Sequence, residues 1–190
     1  MVQKFAFSPE TSGGGGGGAA DAGAGQAPLT EEEARKRAVA SKMIAASFGE
    51  VVSLMTRSER HAHLAVRDLE WLVAPAIVTR QFAIAEAQMK ANGAVVPIGA
   101  VLWAFVSSEV DERLAADPSA PMKLAPAEWK SGPIPWIVDV LGDQRATNNI
   151  LVNLANSVFK DPPPKVKIKN PDGKTVIGRL SPAAEKVAAG

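Results

Sequence analysis

The sequence predicts one α+β domain, a mixed sheet flanked by helices. Three observations carry that expectation. Apolar residues recur at helical spacing between Ile44 and Val73, then alternate along Gln81–Ser107, then return to helical spacing along Ala146–Phe159. An Asn92-Gly93 pair divides the alternating stretch, which is the strongest short-range hairpin signal. The 190 residues suit a single domain, and a hydrophobic fraction of 46% is enough for its core.

The elements follow in order. Residues 1–29 are Gly/Ala-rich and are expected to be a disordered tail, since they hold too little apolar surface to offset the entropy of ordering. Thr30-Glu31-Glu32-Glu33 is a capping-box pattern, so the ordered domain is expected over 30–180. Its first helix carries Ile44, Phe48, Val51, Val52 and Met55. A second start signal, Thr56-x-x-Glu59, predicts a second helix through Leu64, Leu69, Leu72 and Val73 as far as Pro75. Gln81–Met89 and Val95–Ser107 read as paired strands. The second is apolar on both faces and should be central. Glu109–Ala116 reads as a short helix, 118–135 as loop, Trp136–Leu141 as a strand and Ala146–Phe159 as a helix. Pro162-Pro163-Pro164 ends that helix. Lys165–Lys169 and Lys174–Arg179 form a last hairpin around Asn170-Pro171-Asp172-Gly173, with 181–190 as a C-terminal tail.

Composition excludes several function classes. Lys and Arg number 21 against 20 Asp and Glu, a balance that argues against a phosphate-gripping nucleic-acid binder. Cysteine is absent, which removes disulfides, thiolate nucleophiles and cysteine metal sites. Of the two histidines, His61 and His63 would point roughly 200° apart on a helix, so no metal site is expected. There is no phosphate-loop or dinucleotide-loop glycine pattern. The N-terminus lacks a signal-peptide pattern, and the apolar run Ala94–Val106 is too short to span a bilayer. A cytoplasmic protein without a membrane span is therefore expected. Half of the 16 glycines lie between Gly13 and Gly25 and speak only for the tail.

Three polar features remain. An imidazole is the ordinary side chain for general-base work near neutral pH, which singles out His61, with Ser58 three residues earlier on the same helical face. It could equally be an exposed histidine at a helix start, with Ser58 as the cap. Asp139 interrupts the apolar strand Trp136-Ile137-Val138-Asp139-Val140-Leu141, where an unpaired carboxylate costs several kcal/mol. It either orients a histidine, serves as an acid of shifted pKa, or pairs with an arginine. Residues 160–179 hold six positive and two negative side chains, a net +4. That segment either attracts an acidic partner or is a solvated hairpin face. Trp71, Trp103, Trp129 and Trp136 are expected in the core or in a pocket wall.

Ser58-x-x-His61, Pro75-Ala76-Ile77 and Gln81-Phe82-Ala83-Ile84 together resemble the opening block of the RTX toxin-activating lysine-acyltransferases, the haemolysin-activating proteins. Further blocks follow in the family's order: Pro97-Ile98-Gly99-Ala100 with Trp103-Ala104, then Glu128-Trp129-Lys130-Ser131-Gly132, then Trp136-Ile137-Val138-Asp139 with Gly142-Asp143. The similarity spans roughly 55–180. It implies a fold like that of the GCN5-related N-acetyltransferases and a homodimer. It also implies transfer of a fatty acyl group from acyl carrier protein to internal lysines of a protoxin, with no bound cofactor. The resemblance makes His61 and Asp139 the catalytic pair and gives Ser58 a supporting role. The carrier is acidic, so Lys165, Lys167 and Lys169 become a candidate docking surface. The chain departs from the family at Leu72, where the relatives carry Asn, and in a shorter Gly142-Asp143 turn.

Two other readings stand beside this one. A coenzyme-A-dependent N-acyltransferase of the same fold would cradle pyrophosphate in a Gly-rich loop at a helix start. Here that stretch is Gly142-Asp143-Gln144-Arg145-Ala146-Thr147, which lacks the small residues and carries an acid, and the chain has no tyrosine to protonate a leaving thiolate. The other reading is a non-catalytic binding module on the same scaffold.

Overall fold

The computed structural model describes residues 2–5, 30–159 and 161–180. In chain order these form β1 (Val2–Phe5), α1 (Glu31–Met55), single 3-10 turns at Glu59–His61 and Val66–Asp68, α2 (Leu69–Leu72) and α3 (Ala74–Val78). Then come β2 (Phe82–Gln88), β3 (Val95–Val106), α4 (Ser108–Ala116), a 3-10 turn at Pro126–Trp129, β4 (Ile134–Gly142), α5 (Gln144–Ser157), β5 (Lys165–Lys169) and β6 (Thr175–Arg179).

The strands make one sheet in the order β1-β2-β3-β4-β5-β6. Neighbours are antiparallel except β4 and β5, which run parallel after the crossover through α5. This is the mixed sheet flanked by helices that the sequence predicts, and it is consistent with an acetyltransferase-like α+β fold. The parallel pairing is short. It joins Trp136 to Lys165 and Ile137 to Val166 and stops there, so β4 leaves β5 just before Asp139.

β3 is central and buried on both faces, as its apolar run requires. One face packs Leu102 and Ala100 against Val51 and Leu54 of α1 and Ile77 of α3. The other packs Val101 and Trp103 against Ile150 and Leu154 of α5, with the Phe159 ring edge-on to Trp103 at 5.9 Å. Gly99 lets α5 approach β3, since a Cβ there would lie 3.1 Å from Thr147 and 3.2 Å from Ala146. Trp103, Trp129 and Trp136 are buried and Trp71 partly so, as expected.

The Thr30 capping box forms, and Asp143 caps α5 by accepting from the Ala146 N–H at 2.8 Å. The second helix does not form as predicted. Thr56 is the C-cap of α1 rather than the N-cap of a new helix, its hydroxyl donating back to Ser53 O at 2.9 Å. The chain then runs through short turns, because Asp68 takes the Ala65 N–H at 2.8 Å and starts a fresh turn of its own. Those bonds, from the Ala65 N–H and then the Trp71 indole, hold the Asp68 carboxyl below the usual carboxylate range. Pro75 does not end a helix; it lies in the first turn of α3, where its missing N–H costs nothing. A second difference concerns the N-terminal segment. Val2–Phe5 are a strand paired with Ala83–Glu86, not tail. An edge strand draws its pairing from backbone groups, which composition does not report. Residues 6–29 and 181–190 lie outside the described residues.

By length and composition α1 could cross a membrane. In this fold its last turns, through Val51, Leu54 and Met55, belong to the core. Val39, Met43 and Ile44 on its outer half are exposed.

The loop Glu128–Gly132 has a structural role. Trp129 is fully buried, and Ser131 Oγ accepts the Ser107 N–H at 2.9 Å. A Cβ on Gly132 would sit 2.6 Å from the Val106 carbonyl oxygen, so only glycine fits. Asp111 of α4 ties this end of the sheet together. It accepts from Trp136 Nε1 at 2.8 Å and from Lys165 Nζ at 2.7 and 2.8 Å. Only 17% of the lysine side chain and 14% of the aspartate is exposed. Lys165→Met should therefore lower stability by on the order of 3 kcal/mol in urea unfolding, since it strands a buried carboxylate. An unchanged midpoint would show that the pair is no more than a surface contact.

Candidate active site

A carboxylate inside β4 can be used only if it faces something that pairs with it. Strand alternation alone would put Asp139 on the same face as Ile137. The register shows otherwise. Leu102 pairs with Asp139 but the next residue, Trp103, pairs with Ile137, leaving Val138 as an extra residue in β4. This bulge reverses the alternation downstream of it. Trp136 and Leu141, an odd number of residues apart, consequently share the core on the α1 side, while Ile137 packs on the α5 side. Asp139 moves with Leu141 to the α1 side, towards the segment that follows α1.

That segment supplies both of its partners. His61 Nε2 lies 2.8 Å from Asp139 Oδ2, with both side chains buried. Arg60 Nη2 donates to Asp139 Oδ1 and, at 2.8 Å, to the Val140 carbonyl. The Val140 N–H also donates to Oδ1, at 2.9 Å. His61 Nδ1 lies 2.8 Å from Ser58 Oγ. An ionised carboxylate only accepts, so Nε2 carries the proton that faces Asp139. In the neutral ring Nδ1 then holds a lone pair, which accepts the Ser58 hydroxyl proton. Ser58, His61 and Asp139 form a continuous relay of hydroxyl, imidazole and carboxylate, the arrangement that makes an imidazole a general base.

The alternatives open at Asp139 resolve into both at once, an oriented histidine and an arginine pair. Arg60 is the residue sequence reasoning missed. Its side chain is 64% exposed, so its adjacency to His61 was the only signal available. His61 is buried, not an exposed histidine at a helix start, and Ser58 caps no backbone N–H.

The other singled-out residues lie elsewhere. Lys165 is held by Asp111, as above. Lys167 Nζ donates to the carbonyls of Asp117 and Ala120 at 3.1 and 3.0 Å. Burial lowers the Lys167 pKa from its ordinary value, and attraction to Asp117 opposes that. Lys169 is exposed, along with Lys174 and Arg179 of the same hairpin. Leu72, where the resemblance implies Asn, is buried in the core. No group of three or more His, Asp or Glu side chains among the described residues could hold a metal ion.

Two cavities flank the relay. One, of about 420 Å³, has His61 in its wall and is otherwise lined mainly by apolar side chains from Val52 to Leu69. The other, of about 490 Å³, is lined by Leu54, Arg57, Ser58, Ile98, Gly142 and Asp143. Its rim is fixed by a second bulge, in β3, where Ile98 is the extra residue. The Ile98 carbonyl takes the Asp143 N–H at 2.7 Å, and the Pro97 carbonyl takes Arg57 Nη2 at 3.1 Å. Gly142 crosses there at φ +89°, and a Cβ would meet the Ile98 oxygen at 2.3 Å.

A search among curated proteins finds no match. The family model of the RTX toxin acyltransferases matches residues 40–180, a span that contains the relay, both bulges and both cavities. With that match over most of its length, the chain belongs to the RTX toxin acyltransferase family.

Proposed function

We propose that this acyltransferase moves a fatty acyl group from acyl carrier protein to a lysine ε-amine of an RTX-type protoxin, with His61 as base and Asp139 orienting it. The observation that carries the reading is the buried 2.8 Å contact between His61 Nε2 and Asp139. Such a contact, at the wall of a cavity, counts against a non-catalytic module.

The chemistry follows from the relay. A lysine amine has a pKa of about 10.4 and is mostly protonated near neutrality. Only the neutral amine attacks a thioester. The lysine ammonium first gives one proton to solvent; as the neutral amine attacks, Ser58 Oγ takes its second proton and passes its own to His61 Nδ1, while Asp139 stabilises the imidazolium that forms. The amine nitrogen bonds to the carbonyl carbon, and the tetrahedral oxyanion collapses with loss of the carbon–sulfur bond. The imidazolium then returns the proton to the departing thiolate, leaving acyl-lysine and free carrier thiol.

Asp143 favours a carrier-bound donor over coenzyme A. Its carboxylate already caps the start of α5, where a coenzyme-A enzyme would place pyrophosphate, and two anions there would repel. Docking of the acidic carrier falls to the exposed cations of the last hairpin, Lys169, Lys174 and Arg179, since Lys165 and Lys167 are engaged within the fold. With such a donor the proposed reaction is a cytoplasmic one.

His61→Ala and Asp139→Ala should each lower acyl-lysine formation by about a thousandfold, read by mass spectrometry of the protoxin, with circular dichroism unchanged. Undiminished transfer by His61→Ala would sink the mechanism. Arg60→Met should cost no more than about tenfold in kcat, because Arg60 is exposed and His61 still pairs Asp139. Complete loss would instead place Arg60 among the reacting groups. Reversing Lys169 and Lys174 to Glu should raise the apparent KM for the carrier by about fivefold at low salt, leaving kcat alone. A KM that does not move would remove the hairpin from docking.

A further inference from the structure

We propose that the apolar cavity beside His61 is the binding site for the acyl chain itself, an apolar chain of medium length. The inference rests on the acyl-transfer reading and assigns that reaction a subsite.

The cavity is built where the second helix fails to form. The last turns of α1 give one wall, with Val52 and Met55. The broken segment gives the other, with Leu64, Ala65, Val66 and Leu69. A continuous helix from Thr56 would have packed its apolar stripe against α1 and closed this space. Two separate 3-10 turns leave it open. No acidic or basic side chain lines it, and His61 is its one ionisable wall residue. Its volume, about 420 Å³, lies in the range of small-ligand sites.

The occupant follows from three features of the wall. Val66 is 85% exposed at the cavity, an apolar side chain that an apolar ligand would cover. Small residues, Ala62 and Ala65, alternate with larger ones and leave a channel without hydrogen-bonding demands. The cavity has His61 in its wall and the polar cavity has Ser58 in its wall, while Ser58 and His61 touch at 2.8 Å. A thioester lying across that contact has its chain on the apolar side and its amide-rich carrier arm on the side of Arg57 and Asp143.

The test uses the full chain, acyl carrier protein loaded with butanoyl or dodecanoyl groups, and free dodecanoate. Ala65→Trp fills the channel, and Val66→Asp charges its rim. Both positions are exposed, and Ala65 has extended backbone angles that any residue adopts, so the fold should accept both. Wild type should prefer dodecanoyl, and both variants should lose about tenfold in kcat/KM for dodecanoyl while butanoyl transfer stays within about twofold. Dodecanoate should bind wild type saturably by calorimetry and bind both variants about tenfold more weakly. Equal losses for the two acyl groups, or dodecanoate binding unaffected by both substitutions, would overturn the proposal. Dodecanoate binding that Ala65→Trp weakens, in a protein that transfers nothing, would keep the subsite and defeat the transfer reading. Transfer with no change in chain preference would do the reverse.

Discussion

The carboxylate of Asp139 cannot stay buried without partners, and much of this molecule is arranged around that constraint. Removing a charge from water costs several kcal/mol even after relaxation. Here the cost is offset by an imidazole, a guanidinium and a backbone N–H, all reaching the same two oxygens. The bulge at Val138 makes this possible, because without it the carboxylate would face α5, away from the imidazole and the guanidinium. Pairing of β4 with β5 stops at Ile137, which leaves the backbone around Val140 free to accept Arg60.

The segment after α1 is shaped by the same demand. A regular helix would bury its apolar stripe well but would carry Ser58, Arg60 and His61 on faces set by helical rotation. The observed turn at Glu59–His61 instead delivers Arg60 and His61 to one carboxylate and keeps Ser58 against the ring. An apolar cavity is left beside the base. One local departure from regular structure thus produces both the relay and the cavity beside it. The polar cavity has a similar origin, in the β3 bulge at Ile98 and the close crossing at Gly142.

Much of this was legible in the sequence. The Thr30 capping box, the Asn92-Gly93 turn, the two-faced apolar run of β3 and the proline stop after α5 each dictate local structure by short-range chemistry. Asp139 and His61 stood out because a charge in an apolar strand and a neutral-pH base are rare enough to need a reason. What stayed hidden depends on tertiary position. Bulge parity is invisible in a strand whose apolar residues fit either alternation. The capping signal at Thr56 was real as a residue pattern, but its hydroxyl donates back to Ser53 O and Asp68 starts a separate turn at the Ala65 N–H. Lys165 and Lys167 read as free charge until their partners in α4 and the following loop were known. Arg60 gave no signal beyond its place in the chain.

The family places an acyl group and a protein toxin in the reaction, and the proposed mechanism makes the relay its base. That account depends on one proton, the one on Nε2 of His61. The direct measurement is the ¹⁵N spectrum of the His61 ring at mildly alkaline pH, in wild type and in Asp139→Asn. The account predicts a protonated Nε2 and an unprotonated, hydrogen-bonded Nδ1 in wild type, with that preference lost in the variant. A proton on Nδ1, or a ring averaging between tautomers in the wild-type protein, would contradict it.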